Sequence, residues 1–199
     1  MNASDGNEAK IKGAVIKDPR DWTRKAYGPE AYQAALAKLS SEERAFVDGT
    51  ILAGSWYPIV PWDRFLAAMR VEARARRGHS ELQFNMRNMR ESGPAIVRGA
   101  YKFLLGLLSP VTVIDKCSLV YNRAYSEGRC EIVKNERGQA IVCYSGASAD
   151  FRTNLRNNFV TGFMFVLELH GAKGVDGRIS RDEIVEGKLV FEVTITYQA

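Results

Sequence analysis

Histidine is almost missing from this 199-residue sequence: His79 and His170 are the only two. Neither stands beside a second ligating side chain, so no zinc-type or His-centred catalytic cluster can be assembled from neighbours in sequence. Cysteine is equally sparse. Cys117, Cys130 and Cys143 are odd in number and never form a C-x-x-C pair, which argues for a reducing compartment and against a structural metal. Apolar runs are short, and none approaches the roughly 18–20 residues that span a bilayer. The opening residues lack the charged-then-apolar build of a signal peptide. These absences lead to the expectation of a cytoplasmic protein with no membrane span. Nucleophile elbows, phosphate-cradling glycine loops and His-Glu-x-x-His are also lacking, so no enzyme is expected, no catalytic residue is nominated, and no metal or cofactor is expected.

What is present is a fold pattern. The apolar fraction of 46% over 199 residues suits one domain with its own core. Met1–Lys10 is polar and aperiodic and is expected to be a disordered tail, with a single domain over 11–199. Asp18–Pro19 reads as the N-cap and first residue of a helix that stops near Tyr27–Gly28 and restarts at Pro29. Ser40 or Ser41 caps the next helix. Ser55–Trp56–Tyr57–Pro58 makes an aromatic corner, because Pro58 holds Tyr57 extended. A helix follows from Trp62–Asp63 to Arg77, then another over Ser80–Met89, a break at Gly93–Pro94, and an apolar helix Ala95–Leu108. Ser109–Pro110 caps the helix Val111–Tyr125.

From Gly128 the apolar period changes to two, and a hairpin turns at Asn135–Gly138. Asn154–Gly171 has apolar residues at Leu155, Phe159, Phe163, Val166 and Leu167, with Val160, Met164, Phe165 and Leu169 on a second face. It is expected to be a helix covered on both sides. Leu189, Phe191, Val193, Ile195 and Tyr197 alternate as a strand. The fold class is therefore α+β: an N-terminal helical half packed on a four-stranded, mainly antiparallel sheet, with the order strand–strand–helix–strand–strand at the C-terminal end.

Two clusters stand out. The aromatics Trp56, Tyr57, Tyr101, Tyr121, Tyr125 and Phe163 are either ordinary core or the lining of an apolar pocket between helices and sheet. In the pocket reading Tyr121 and Tyr125 share a helix face, Phe163 is the floor, Trp56 or Tyr57 the lid, and Gly162 opens room that Gly162→Leu would fill. Arg70, Arg74 and Arg77 recur at helical spacing, as a solvated face or an anion-binding stripe. The net charge of +5 permits an anionic partner without requiring one, and nothing supports base reading, so nucleic acid is not an expected partner. Adjacent Asp182 and Glu183 lie on a strand and point to opposite faces.

The segment Gly162-Phe163…Leu167-Glu168-Leu169…Gly171-Ala172-Lys173, followed by Phe191-Glu192-Val193, resembles the closing part of 4-vinyl-reductase-type ligand-binding domains. Their relatives are the haem–nitric-oxide-binding domains and the TRAPP tethering subunits. Lys12-Gly13, Tyr27-Gly28, Trp56-Tyr57-Pro58 and Leu108-Ser109-Pro110 are closer to a paralogous family of unknown function abundant in myxobacteria. The likeness spans about Ile11 to Tyr197. It implies a non-enzymatic small-molecule-binding or sensory domain, taking an apolar molecule or acyl chain and acting through a protein partner or as a homodimer. The alternative it implies is a ligand-free, homodimeric interaction module like the tethering subunits. The departures are specific. Where the reductase-type domains place suspected metal-ligating cysteines, this chain has Asn157, Asn158, Glu183 and Val190. The haem domains carry a helical histidine and Tyr-x-Ser-x-Arg. Here Tyr125-Ser126-Glu127-Gly128-Arg129 keeps only the Tyr–Arg spacing, and no histidine lies near Pro94–Leu105, so haem is not expected.

Overall fold

The computed structural model describes residues 8–98, 108–149 and 152–198. These contain six α-helices, a four-stranded antiparallel sheet and a two-stranded one: β1 (Lys10–Lys12), α1 (Lys17–Leu36), α2 (Ser41–Asp48), β2 (Trp56–Pro58), α3 (Ile59–Arg77), α4 (Glu81–Arg98), α5 (Pro110–Ala124), β3 (Arg129–Glu136), β4 (Gln139–Ser148), α6 (Arg152–Leu169), β5 (Lys173–Val185) and β6 (Lys188–Gln198). The larger sheet has the order β3-β4-β6-β5, all antiparallel. The α+β class and the helical N-terminal half are as the periodicity predicts.

The local stops and starts follow from particular residues. Gly28 takes φ 83° and ψ 165° in mid-α1, so the helix stops and restarts there, as the Gly28–Pro29 pair predicts. Ser40 accepts from the Glu43 N–H while the Glu43 carboxylate accepts from the Ser40 N–H, a complete capping box. Ser40→Ala should cost about 1 kcal/mol, read as a shift of the urea midpoint at unchanged slope; no shift would mean that α2 is held by packing alone. Ser109 caps α5 through the Thr112 N–H, with Pro110 at the first helical position.

Several boundaries differ from expectation. Asp18 is not the N-cap: α1 already starts at Lys17, its cap Ile16 gives no side-chain bond, and Asp18 sits in the first turn. α3 begins at Ile59, ahead of Pro61, which is tolerated because first-turn N–H groups have no helical partner. Gly93–Pro94 is not a break, since α4 runs through it. That glycine serves packing: a Cβ there would come within 2.6 Å of the Phe165 ring, so its absence lets α4 lie close on α6. Of the expected helix Ala95–Leu108, the first four residues extend α4, and 99–107 lie outside the described residues. Of the expected tail, 1–7 lie outside them, while Ala9 is buried and Lys10 begins β1.

β1 pairs with β2, setting Ile11 opposite Tyr57. It is also tied to the end of α5: Ile11 bridges Tyr125, and the Ser126 N–H donates to the Lys10 carbonyl at 2.9 Å. The N-terminal strand thus pins α5 beside α3.

α6 is the centre of the molecule. One face, with Val160 and Met164, packs on the sheet beneath Gly177 of β5; the other meets α4 and α5. Phe159, fully buried, touches the rings of Tyr121, Phe163, Tyr144 and Phe191 at centroid distances of 4.7, 5.0, 5.5 and 5.1 Å. Leu169, at the helix end, is exposed rather than covered. No described helix is long and apolar enough to cross a membrane.

Candidate functional site

Three helices turn the same kind of stripe toward one another. α4 presents Met89, Gly93, Ile96 and Val97; α5 presents Cys117, Val120, Tyr121 and Ala124, with Tyr125 as its C-cap; α6 presents Asn158, Gly162, Phe165 and Val166. Each set falls at i, i+4, i+7 and i+8 or a close variant, one helical face. Trp62 and Leu66 of α3, Ile11 of β1 and Pro19 of α1 close the remaining sides. The stripes do not fill the space between them, and a cavity of about 100 Å³ remains. An engineered cavity of about 150 Å³ lined by Leu, Ile and Phe stays dry and admits benzene. This one therefore suits a hydrocarbon body of roughly five carbons.

The cavity lies on the α4/α5 side of α6, not between helices and the four-stranded sheet, where the sequence reading places it. The two apolar faces of α6 are the physical reason. Its Val160/Met164 face seals against the sheet, and its Gly162/Phe165/Val166 face borders the space.

Of the six aromatics nominated, the structure brings two to the cavity. Tyr121 and Tyr125 both line it, their rings parallel within 7° at 5.9 Å. The Tyr121 hydroxyl is committed, donating to the Asn158 carbonyl at 2.9 Å, and burial raises its pKa well above the usual tyrosine range. Phe163 is not the floor. It stacks behind Tyr121 at 5.5 Å, within the core. Trp56 and Tyr57 are not a lid. Trp56 is 42% exposed beneath the Lys12 ammonium, 4.1 Å from the ring centroid. Tyr57 packs on Phe46 and its hydroxyl accepts from the Leu52 N–H. Tyr101 lies outside the described residues.

The room expected beside Gly162 is occupied: a Cβ there would collide with the Tyr121 hydroxyl. Residues that the sequence reading missed are Leu66, Met89 and Phe165. The apolar periodicity of α3, α4 and α6 contains them, but nothing in that periodicity separates a residue facing a void from one facing a neighbour.

The arginines do not form one stripe. Arg74 and Arg77 are exposed, whereas Arg70 is 6% exposed, one turn beyond Leu66, with Nη1 unpartnered. Burial pushes the Arg70 pKa down, and nearby Glu81 and Asp63 push it up. Two neighbouring carboxylates make this an unfavourable place for an added anion. On β5, Asp182 meets Arg156 of α6 at 2.7 Å while Glu183 pairs with Arg181, so the adjacent acids do face apart.

Among the described residues, six helices and an antiparallel sheet thus form a fold that holds a small void. No protein-family profile and no curated protein matches this chain. Solved structures do. The chain aligns over 95% of its length with 97% of a Cs H-NOX mutant carrying 4-cyano-L-phenylalanine, at TM-score 0.70 and 11% identity. It aligns over the same share with 98% of a T. Tengcongensis H-NOX mutant, at TM-score 0.69 and 12% identity. An oxygen-binding H-NOX domain related to soluble guanylate cyclases, solved as its oxygen complex, matches over 95% of this chain and 96% of its own, at TM-score 0.67 and 11% identity. A further match concerns haem distortion in the H-NOX family, and another the modulation of haem redox potential by porphyrin distortion. The likeness shows the fold.

The described residues do not fit a haem. Among them, no histidine, lysine or arginine lines the cavity. The His79 Nδ1 lies 3.0 Å from the Tyr27 hydroxyl, and the His170 Nδ1 lies 2.7 Å from the Val166 carbonyl at the end of α6, so both imidazoles serve elsewhere. Arg129, which keeps the motif spacing after Tyr125, is exposed and pairs with Glu131. Cys117 does line the cavity, where burial pushes its thiol up to about 12. A space near 100 Å³ is also below the roughly 300 Å³ at which pockets for drug-sized ligands begin.

Proposed function

We propose that this chain is a non-enzymatic ligand-binding or sensory domain that takes a small, largely apolar molecule directly into the α3–α4–α5–α6 cavity, without haem. The observation that carries the reading is the cavity itself, apolar stripes of α4, α5 and α6, closed by α3, around a void that close packing would otherwise eliminate. The H-NOX fold supports it, because an oxygen-binding domain and haem-bearing ones share this architecture. The lack of a cationic or imidazole side chain in the described lining argues for a ligand held by apolar contact. In this reading, a bound small molecule would be signalled through a protein partner or a second copy.

Thermal unfolding of the full chain tests this. Cyclopentane at a hundredfold excess over its dissociation constant should stabilise by about 2.7 kcal/mol, with about 2–4 °C in Tm for each kcal/mol in a domain of this size. Ala124→Leu places three more carbons in the same space and should abolish the shift while keeping the fold. Haemin added to the same protein should give no axially ligated Soret band. A stoichiometric Soret band lost on substituting Cys117 would overturn the haem-free reading.

A further inference from the structure

The cavity wall is not apolar throughout. Asn88 of α4 is 3% exposed, yet lines the cavity. Ser92 Oγ lies 2.7 Å from the Asn88 carboxamide oxygen and 2.8 Å from the Asn88 main-chain carbonyl. A hydroxyl has one proton, so it donates to one of these oxygens at a time. The Asn88 amide can then stand either way round, its oxygen accepting from Ser92 or its NH2 donating to it. In both orientations one amide heavy atom is left, and no hydrogen bond among the described residues engages it. That atom is not sealed off. Asn85, one turn earlier, has both amide atoms wholly enclosed and unpartnered, whereas no Asn88 atom is in that state. With bulk solvent excluded from Asn88, the space its amide meets is the cavity. Asn158 of α6 lines the same cavity; its main-chain carbonyl takes the Tyr121 hydroxyl, and no hydrogen bond among the described residues engages its side-chain amide.

We propose that Asn88 and Asn158 form a neutral polar subsite that selects an uncharged ligand with a compact apolar body and one hydroxyl group. A hydroxyl both donates and accepts, so it satisfies an amide standing either way round. A carboxylate or phosphate is rejected: it would shed its hydration against a wall with no cationic side chain among the described residues. The inference rests on the reading of the cavity as a ligand site, and deepens it by naming the ligand class.

The test is an amide-detected NMR titration of the full chain with cyclopentane, cyclopentanol and cyclopentanecarboxylate at matched free concentrations. In a wall without polar partners, a buried hydroxyl weakens binding by about thirtyfold or more. With the asparagine subsite, cyclopentanol should bind at least as tightly as cyclopentane, and the carboxylate should not bind. Asn88→Leu, close to isosteric, should reverse the order of cyclopentanol and cyclopentane by about tenfold. Asn158→Ala, at a partly exposed position, is the second variant and should weaken cyclopentanol more than cyclopentane. Cyclopentane binding without cyclopentanol overturns the subsite but leaves the ligand-site reading standing. So does a hydroxyl preference that survives both substitutions. Failure of both neutral compounds to bind removes the ligand-site reading and the subsite with it.

Discussion

Phe159→Ala should destabilise the protein by about 3–5 kcal/mol, the range for removing a large aromatic from a packed core. Phe159 is fully buried and, among the described residues, its ring meets Tyr121 of α5, Tyr144 and Phe191 of the sheet and Phe163 of its own helix. Its removal leaves those four rings facing a void, and they cannot all move inward. Tyr121 is held by the Asn158 carbonyl and Tyr144 by the Glu127 carbonyl at 2.7 Å. Since a domain's total stability is about 5–15 kcal/mol, this substitution takes a large share of it. Urea unfolding followed by circular dichroism gives the value. A loss below about 1 kcal/mol would mean that the ring cluster is not the packing centre.

Gly162→Leu should be nearly as damaging, at about 2–4 kcal/mol or a failure to fold, because the added atoms enter occupied space. The sequence reading expects the opposite, a filled cavity and an intact fold. The Tyr121 hydroxyl decides the matter. It reaches across to the Asn158 carbonyl over the bare Cα of Gly162, in the place that a Cβ would take. A double-mutant cycle isolates this contact. Gly162→Ala should cost about 1–3 kcal/mol in the parent and clearly less in a Tyr121→Phe background, where the clashing oxygen is gone. Equal costs in the two backgrounds would show that the tyrosine is not what the glycine accommodates.

These two positions show where the sequence is readable and where it is not. α6 and β6 are legible from period alone, since large apolar residues recurring every 3.6 or every two positions arise from little besides a helix or a strand with a buried face. Ser40, Ser109 and Gly78 mark helix ends through chemistry that acts within one turn. Gly93 and Gly162 mislead for the opposite reason. One looks like a breaker and the other like open room, but both are places where a distant helix or tyrosine comes close, and that is set by tertiary packing. Arg70 misleads in the same way: its spacing matches Arg74 and Arg77, while its burial depends on what α3 faces. Tyr121 and Tyr125 are found because i and i+4 share a face. Trp56 and Tyr57 are misassigned because an aromatic corner can pack on β1 and α2 as well as over a cavity. The site's polar part, Asn88 and Asn158, carries no local signal, because an asparagine on a helix is ordinarily solvated.

The two faces of α6 have different tasks. Its sheet face is closely fitted, with Gly177 leaving 3.0 Å from a would-be Cβ to Met164 and Val160. Its other face leaves the void. Ligand-dependent change should therefore appear in α4, α5 and the α6 residues Asn158, Gly162 and Val166, while β5 and β6 stay still.

Xenon tests the central claim most directly, because it binds apolar voids without needing a polar partner. Crystals of the full chain pressurised with xenon should show one strong site bounded by Leu66, Met89, Val120 and Phe165. The site should vanish in Ala124→Leu, which should also be about 0.5–2 kcal/mol more stable than the parent as a filled cavity. No xenon between these residues, together with a loss of stability in Ala124→Leu, would contradict the claim: the space would then be solid core, and the chain would not hold a ligand there.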